Sequence, residues 1–303
     1  MQTIGTWLGR GLAAAGLMAL GAASAQSVPK PDMGKLLATG GVSQVEGAGG
    51  GGLTPWALIT GYGTRDSYGA NAHYTVVRTG EYALDTYGVA VGLMDRVELS
   101  YARQAFRGTG RNNPLDDVTV RQDIMGLKVK VAGDAVYDQD RWLPQIAVGA
   151  QIKSHQGISG GILNGLKPRD LGARDNSGVD YYVSATKILL DQSLLINGTL
   201  RATRANQFGL LGFGGDVHNH YRLAPELSVA YLFSRHVAAG LEYRAKPRSL
   251  RLASDEDAYD AFVAYFPTKN VSMTLAYVNL GRIVEALNPQ TQKGPYLSVQ
   301  VGF

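Results

Sequence analysis

Beyond its first twenty-five residues the chain alternates apolar and polar positions with a period of two. Residues 193–203 place Leu194, Ile196, Gly198, Leu200 and Ala202 on one face, and Asn197, Thr199, Arg201 and Thr203 on the other. Residues 237–244 set Val237, Ala239, Leu241 and Tyr243 against Gly240, Glu242 and Arg244. Residues 145–153 set Ile146, Val148, Ala150 and Ile152 against Gln145, Gly149, Gln151 and Lys153. The same rule separates Leu127, Val129 and Val131 from Lys128 and Lys130, and Val97, Leu99 and Tyr101 from Glu98 and Ser100. Leu227, Val229 and Tyr231 oppose Glu226 and Ser228, and Asp260 lies opposite Tyr259, Ala261, Val263 and Tyr265, with Phe262 interrupting the polar row. Side chains that change sides at every residue belong to strands, not helices.

Alternation also describes a soluble antiparallel sandwich with one wet face. Three features point instead to a membrane barrel. The runs last nine to eleven residues, against a mode of ~5–6 for soluble strands and ~9–11 for strands tilted across a bilayer. Tyr101, Tyr181, Tyr231, Tyr243, Tyr259 and Tyr265 sit near the ends of apolar faces, where an amphipathic ring favours the headgroup zone. The connections alternate in length: tight near 92–96, 190–193, 233–236 and 267–270, long at 107–118, 154–178, 204–220, 246–256 and 281–294. Short periplasmic turns with long outer loops are the outer-membrane pattern. A backbone in hydrocarbon must pair every N–H and C=O, so the sheet has to close without an edge.

The expected fold is therefore all-β, a single antiparallel transmembrane β-barrel over residues 55–303. Counting back from Phe303 gives strands near 293–303, 271–281, 257–266, 237–246, 221–233, 193–204, 177–190, 142–154, 118–132, 96–107, 82–92 and 69–79, twelve in all. Residues 56–63 look like a further strand, and even parity then requires residues 35–46 to pair as well, so fourteen strands are expected. In the twelve-strand alternative, the segment 26–54 fills the lumen or lies in the periplasm. The run Gly-Ala-Gly-Gly-Gly-Gly at 47–52 reads as a flexible connector.

The two chain ends carry signals of their own. Residues 1–25 hold one cation, Arg10, and no acid, then an Ala/Leu-rich apolar run and Ala23-Ser24-Ala25. These are the parts of an export signal cleaved after Ala25, and the run is too short to span a bilayer. At the other end Leu297, Val299, Val301 and Phe303 share a face and the sequence stops on Phe303. This resembles the C-terminal signature by which outer-membrane proteins are recognised for assembly. The expected location is the bacterial outer membrane, and the expected partners are its lipid and lipopolysaccharide, its assembly machinery and a small solute.

Composition narrows the chemistry. The sequence has Lys+Arg 29 against Asp+Glu 25, so removing the single cation of residues 1–25 leaves 28 − 25 = +3. Nucleic acid is excluded as a partner on that balance. With Cys 0, thiolate metal sites, disulfides and thiol catalysis are excluded, and no cofactor is expected.

Residues 34–66 (GKLLATGGVSQVEGAGGGGLTPWALITGYGTRD) and 87–106 (YGVAVGLMDRVELSYARQAF) resemble a proteobacterial outer-membrane family described only as a domain of unknown function. The likeness covers almost the whole mature chain. It is more distant to outer-membrane transporters linked to phenol and aromatic degradation. The resemblance implies the location and the barrel, and supplies no substrate and no catalytic residue.

With apolar faces toward lipid, the lumen is lined by Glu98, Lys128, Lys130, Gln151, Lys153, Asn197, Arg201, Glu226, Glu242 and Arg244. These are either a solvated wall with cross-strand ion pairs or a mildly anion-tolerant constriction. A girth between the filled eight-stranded and the open sixteen-stranded barrel predicts a narrow pore. The stretches 154–178 and 204–220 are long enough to fold into it. The function expected is passive passage of small solutes; the alternatives are a non-conducting surface barrel and a barrel enzyme.

An enzyme would need a His beside a carboxylate or Ser at the outer rim. Asp216, His218 and His220 cluster in one long loop but lack a partner motif, so an exposed polar loop is expected and no catalytic or metal role is assigned. His73, His155 and His236 are scattered singly and read as surface or turn residues. The Gly-rich 212–215 lacks the setting of a phosphate loop. The acids at 116–117 and 255–257 match no calcium-loop spacing.

Overall fold

The structure, a computed structural model, describes residues 34–111, 113–253 and 256–303. The expected export signal and residues 26–33 lie outside the described residues.

The body Lys35–Phe303 is an antiparallel barrel wrapped around its own N-terminal segment. That segment contributes two short strands, β1 (Val42–Ser43) and β2 (Gly49–Gly50), which pair with each other, Gly50 also bridging Pro55. The wall consists of β3 (Tyr68–Arg78), β4 (Tyr82–Leu93), β5 (Val97–Gly108), β6 (Thr119–Ala132), β7 (Gln145–Ser159), β8 (Gly178–Leu189), β9 (Leu194–Thr203), β10 (Arg222–Ser234), β11 (Val237–Arg244), β12 (Ala258–Thr268), β13 (Val271–Asn279) and β14 (Lys293–Gly302). Each strand pairs with its sequence neighbour, and β14 closes on β3 from Tyr296↔Val77 to Gly302↔Asn71. Among the described residues the barrel thus has twelve strands, not fourteen. Once β14 meets β3 there is no free edge for residues 35–46 and 56–63 to occupy, so even parity is met without them.

Leu297, Val299 and Val301 point out from the closing strand. Phe303 is tied to β3 by its N–H to Ala70 O at 2.9 Å and by Ala70 N–H to its own carbonyl at 3.0 Å. The alternation read from sequence is the alternation of the wall. Leu200, Leu241, Val263 and Leu275 are exposed outward, whereas Asn197, Arg201, Glu226, Glu242 and Arg244 are buried inward. Such a surface suits hydrocarbon outside and polar chemistry inside, the fold of an outer-membrane β-barrel.

The two ends differ in length of connection, with two exceptions. Residues 94–96, 190–193, 235–236 and 269–270 make tight turns at the end where β14 finishes. Residues 109–118, 160–177, 204–221, 245–257 and 280–292 make long loops at the other end. The link 79–81 is short at the long-loop end, and 133–144 is long at the short-turn end. Length therefore marks most connections but does not by itself assign a side.

Candidate functional site: the occupied lumen

Residues 35–63 lie inside the barrel. They form neither the first strand of the wall nor the start of the barrel proper, which begins at Tyr68. Part of their backbone is paired within the segment, as in Gln44 N–H to Ala48 O at 2.9 Å and Val45 N–H to Gly52 O at 3.0 Å, and the wall satisfies further groups. Gly49 N–H and Thr60 N–H donate to the two carboxylate oxygens of Glu98, each at 2.9 Å. Lys128 Nζ donates to Gly49 O at 2.7 Å and Leu58 O at 2.8 Å, and pairs with Glu98 at 3.0 Å. Leu53 N–H donates to Glu242 Oε2 at 2.8 Å, and the Thr54 hydroxyl to its Oε1 at 2.6 Å. Trp56 Nε1–H donates to Ser228 Oγ at 2.9 Å, and Ala57 N–H to Thr186 Oγ1 at 2.8 Å. A buried backbone group without a partner is costly, so these inward side chains complete the pairing that the segment's own short ladder leaves open.

The glycine run at 49–52 is the reverse of a loose connector. A Cβ on Gly51 would stand 2.0 Å from Glu242 Oε1, and one on Gly49 would stand 2.8 Å from Glu98 Oε2. A side chain at either position would have to displace the wall carboxylate from the backbone it meets.

Toward the long-loop end the segment delivers Glu46 into a cluster of charges, all of them buried. Glu46 faces Lys153, Arg244 at 2.9 Å and Arg201 at 3.7 Å. Lys153 also pairs with Asp180 at 2.7 Å, Arg201 with Glu226 and with Asp180 at 3.5 Å, and Arg244 with Glu226 at 3.3 Å. Three cations meet three carboxylates, and one of the three comes from the plug. Buried charges are tolerated only in such mutual company.

Above the cluster, residues 207–213 of the loop 204–221 fold inward. Phe208 O accepts from Lys153 Nζ at 3.0 Å, and the Phe208 ring lies 4.3 Å under the Arg244 guanidinium. The long loops then form an apolar roof. Leu115, Leu163, Leu171, Leu211, Leu252 and Leu287 surround a cavity of about 60 Å³, with Tyr82 stacked on Phe106 at 5.0 Å. Leu115 and Leu211, the two fully buried members, each contribute ~1.5–3 kcal/mol over exposure, and the four half-buried ones less. Arg282 ties two of these loops together: its N–H and Nε–H donate to Glu256 at 2.9 and 2.7 Å. Those hydrogen bonds hold the Glu256 carboxyl below its usual range.

The structure places the sequence-derived lumen set as follows. Glu98, Lys128, Gln151, Lys153, Asn197, Arg201, Glu226, Glu242 and Arg244 all face inward and are buried against the plug, its partners or one another. Lys130 sits at the short-turn mouth with Asp95 at 2.6 Å and Asp134 at 3.4 Å. These cations are paired, so they form no ring of free positive charge. Asp180 and Asp260, inward at the expected parity, bring the inward strand acids to five (Glu98, Asp180, Glu226, Glu242, Asp260). The strand cations at inward parity are six (Lys128, Lys130, Lys153, Arg201, Arg222, Arg244), with Arg222 exposed at the long-loop mouth. The lumen set drawn from sequence left out Asp180, Glu46 and also Asp260, although Asp260 stands on the polar face of its run. The aspartates were findable by parity, whereas nothing periodic marks Glu46.

Asp260 is singular: it is buried beside its cross-strand neighbour Glu242, and neither carboxyl oxygen has a hydrogen-bond partner among the described residues. His73 is another departure from expectation. It lies on the inner face of β3, buried, with neither ring nitrogen hydrogen-bonded, and is no surface residue. In the loop 204–221, Asp216 is engaged by Arg251, whose backbone N–H donates at 2.9 Å, while the His218 and His220 rings lie tilted at 59° with centroids 5.3 Å apart. No hydrogen bond joins the acid to either imidazole among the described residues, and that group assembles no proton relay.

No curated protein matches the chain in sequence. In fold it is similar to the KdgM porin, with 10% identity and a TM-score of 0.45 over 78% of this chain and 99% of that one. It is similar to the NanC porin (9%, 0.48, 78% and 99%) and to the COG4313 outer membrane channel from Pseudomonas putida F1 (12%, 0.44, 82% and 96%). At such identities the likeness concerns fold alone. The model of the family described as "Protein of unknown function (DUF3034)" matches residues 39–300, from within the plug to the closing strand, and the chain belongs to that family.

Proposed function

We propose that this chain is an outer-membrane barrel that passes small solutes through its lumen when residues 35–63 leave their seat, and that the form described here is the closed one. The observation that carries this reading is the chemistry of the seat. Glu98, Glu242, Lys128 and the Glu46 cluster hold the plug by charge pairs and hydrogen bonds. Water can replace each of these contacts once the plug departs, which it cannot do for an interlocked apolar core. The wall left behind is hydrophilic, and twelve strands enclose more room than their own side chains fill. With six inward cations against five inward acids on the strands, the open lumen selects weakly between anions and cations.

The outward apolar band supports residence in lipid, the residues 1–25 support export with cleavage after Ala25, and the face Leu297, Val299, Val301, Phe303 supports hand-over to the assembly machinery. Purified, refolded protein in planar bilayers tests the reading. Discrete but infrequent conductance steps are expected, with reversal potentials near zero under a salt gradient. Silent bilayers at all voltages, with folding verified by heat-modifiable gel mobility, would leave the non-conducting surface barrel as the better account.

A further inference from the structure

The outward face is not uniform around the barrel. At the long-loop end of β8, β11, β12 and β13 the apolar band finishes in tyrosines: Tyr181, Tyr243, Tyr259 and Tyr277. At the same end of β3 to β6 the outward positions above Tyr74, Tyr87 and Tyr101 are instead Arg78, Asp85, Arg103, Arg107, Arg121 and Asp123. Four guanidinium groups and two carboxylates give this patch a net charge of 4 − 2 = +2.

The acids organise the arginines without using them up. Asp123 receives Nε and Nη2 of Arg103 at 2.6 and 2.7 Å, and the Tyr101 hydroxyl at 3.1 Å. Asp85 lies between Arg78, at 2.6 Å, and Arg107. Arg121 donates to Ser159 Oγ at 2.9 Å. A guanidinium has five N–H donors, so each arginine keeps donors to spare. The side chains of Arg78, Arg103 and Arg107 remain 44%, 43% and 46% exposed. Charge on the lipid face costs about 2–4 kcal/mol for Arg at the bilayer midplane and about 0–1 near the headgroups. Four arginines in one sector therefore fix the headgroup level there, and they present forked donors to whatever anion lies at that level.

We infer that this sector is a docking surface for the phosphate groups of outer-leaflet lipopolysaccharide, with Arg103 and Arg107 at its centre and Arg78 and Arg121 flanking. The inference rests on the outer-membrane reading above, with the long-loop end on the outer side as in barrels of this kind, but not on conduction. The acyl chains would lie along the exposed Val89 and Leu99 below the tyrosines, and the sugar phosphates at the guanidinium row. The tyrosine-rimmed sector has no such row.

The test is binding of bisphosphorylated lipid A to the detergent-folded barrel, read by native mass spectrometry and thermal shift. Lipid A stripped of phosphate and inorganic phosphate serve as the comparison probes. Expected is a discrete lipid adduct, weakened about tenfold, equivalent to ~1.4 kcal/mol, by removal of the lipid phosphates or by Arg103→Gln with Arg107→Gln. Inorganic phosphate at the same concentration should neither bind nor compete measurably. Equal binding of phosphorylated and stripped lipid, or full retention by the double variant with its barrel folded, would overturn the assignment. Competition by inorganic phosphate at the lipid's own concentration would also overturn it, in favour of a free-anion site. The stripped-lipid comparison needs no variant, so a variant that fails to fold leaves the question answerable. Either failure leaves the barrel's location and conductance to be judged by the bilayer experiment.

Discussion

Replacing Glu46 by Gln isolates the hold of the plug on the wall. Gln keeps the shape and retains the neighbourhood of Gln44, whose Nε2–H reaches Glu46 at 3.2 Å, but it removes the one carboxylate the plug contributes. Lys153, Arg201 and Arg244 are then left with only Asp180 and Glu226, both of which belong to the wall. Removing one partner from a buried ion cluster costs ~3–5 kcal/mol. The cost falls on the seated state alone, because water solvates both the cations and the side chain once the plug leaves. At ~1.4 kcal/mol per factor of ten, the ratio of unseated to seated barrels should rise about 10²–10⁴-fold. Single-channel recording at fixed voltage reads that ratio as open probability. Glu226→Gln is the companion: it also leaves a cation in excess, but strengthens the demand for Glu46, so its open probability should not rise. Equal open probabilities in Glu46→Gln and the parent, with both barrels folded, would show that the cluster does not hold the plug.

Further consequences are narrower. Gly51→Ala places a Cβ where Glu242 stands, 2.0 Å from its Oε1, so it should unseat the plug much as Glu46→Gln does. Gly198→Ala, with no wall atom nearer than 3.9 Å, should leave the conductance trace unchanged. Asp260→Leu replaces a buried carboxyl that has no hydrogen-bond partner and stands beside Glu242 with an apolar group of similar size, and should raise the thermal midpoint, a gain on the order of 1–3 kcal/mol; a lower midpoint would mean that Asp260 has a favourable role in the lumen. The roof should loosen in acid. The Glu256 carboxyl is held low by Arg282, so its contribution is present above the unfolded Glu value of ~4.3 and is lost as pH falls through the lower folded value. Proteolysis of residues 245–257 should accelerate below that range in the parent, and Glu256→Gln should show the faster rate already at neutral pH.

Much of the wall was legible in the sequence because each strand repeats one rule twelve times over. Asn197, Arg201, Glu242 and Arg244 sit at inward parity, and the lipid outside enforces that parity at every residue. The plug obeys no such rule. Residues 56–63 look strand-like because Trp56, Leu58 and Ile59 are apolar, yet they are buried by a lumen and not by a sheet partner. Residues 47–52 look flexible because they are mostly glycine, yet glycine is there to let backbone touch Glu98 and Glu242. A one-dimensional pattern reports periodic surroundings, and the inside of a barrel is not periodic along the chain that fills it. Glu46 was illegible for that reason, and with it the assignment of the inward charges: they are partners of a plug before they are the lining of a pore.

The occupied lumen itself is tested most directly by a covalent lock. The sequence has Cys 0, and the Thr54 and Ser228 side-chain oxygens, one on the plug and one on β10, lie 2.5 Å apart. The variant Thr54→Cys with Ser228→Cys should form a disulfide under mild oxidation in the membrane-embedded protein and abolish all conductance steps, which should return on reduction. Failure of the pair to cross-link in folded barrels, or conductance unchanged by the cross-link, would contradict a plug seated in the conducting path.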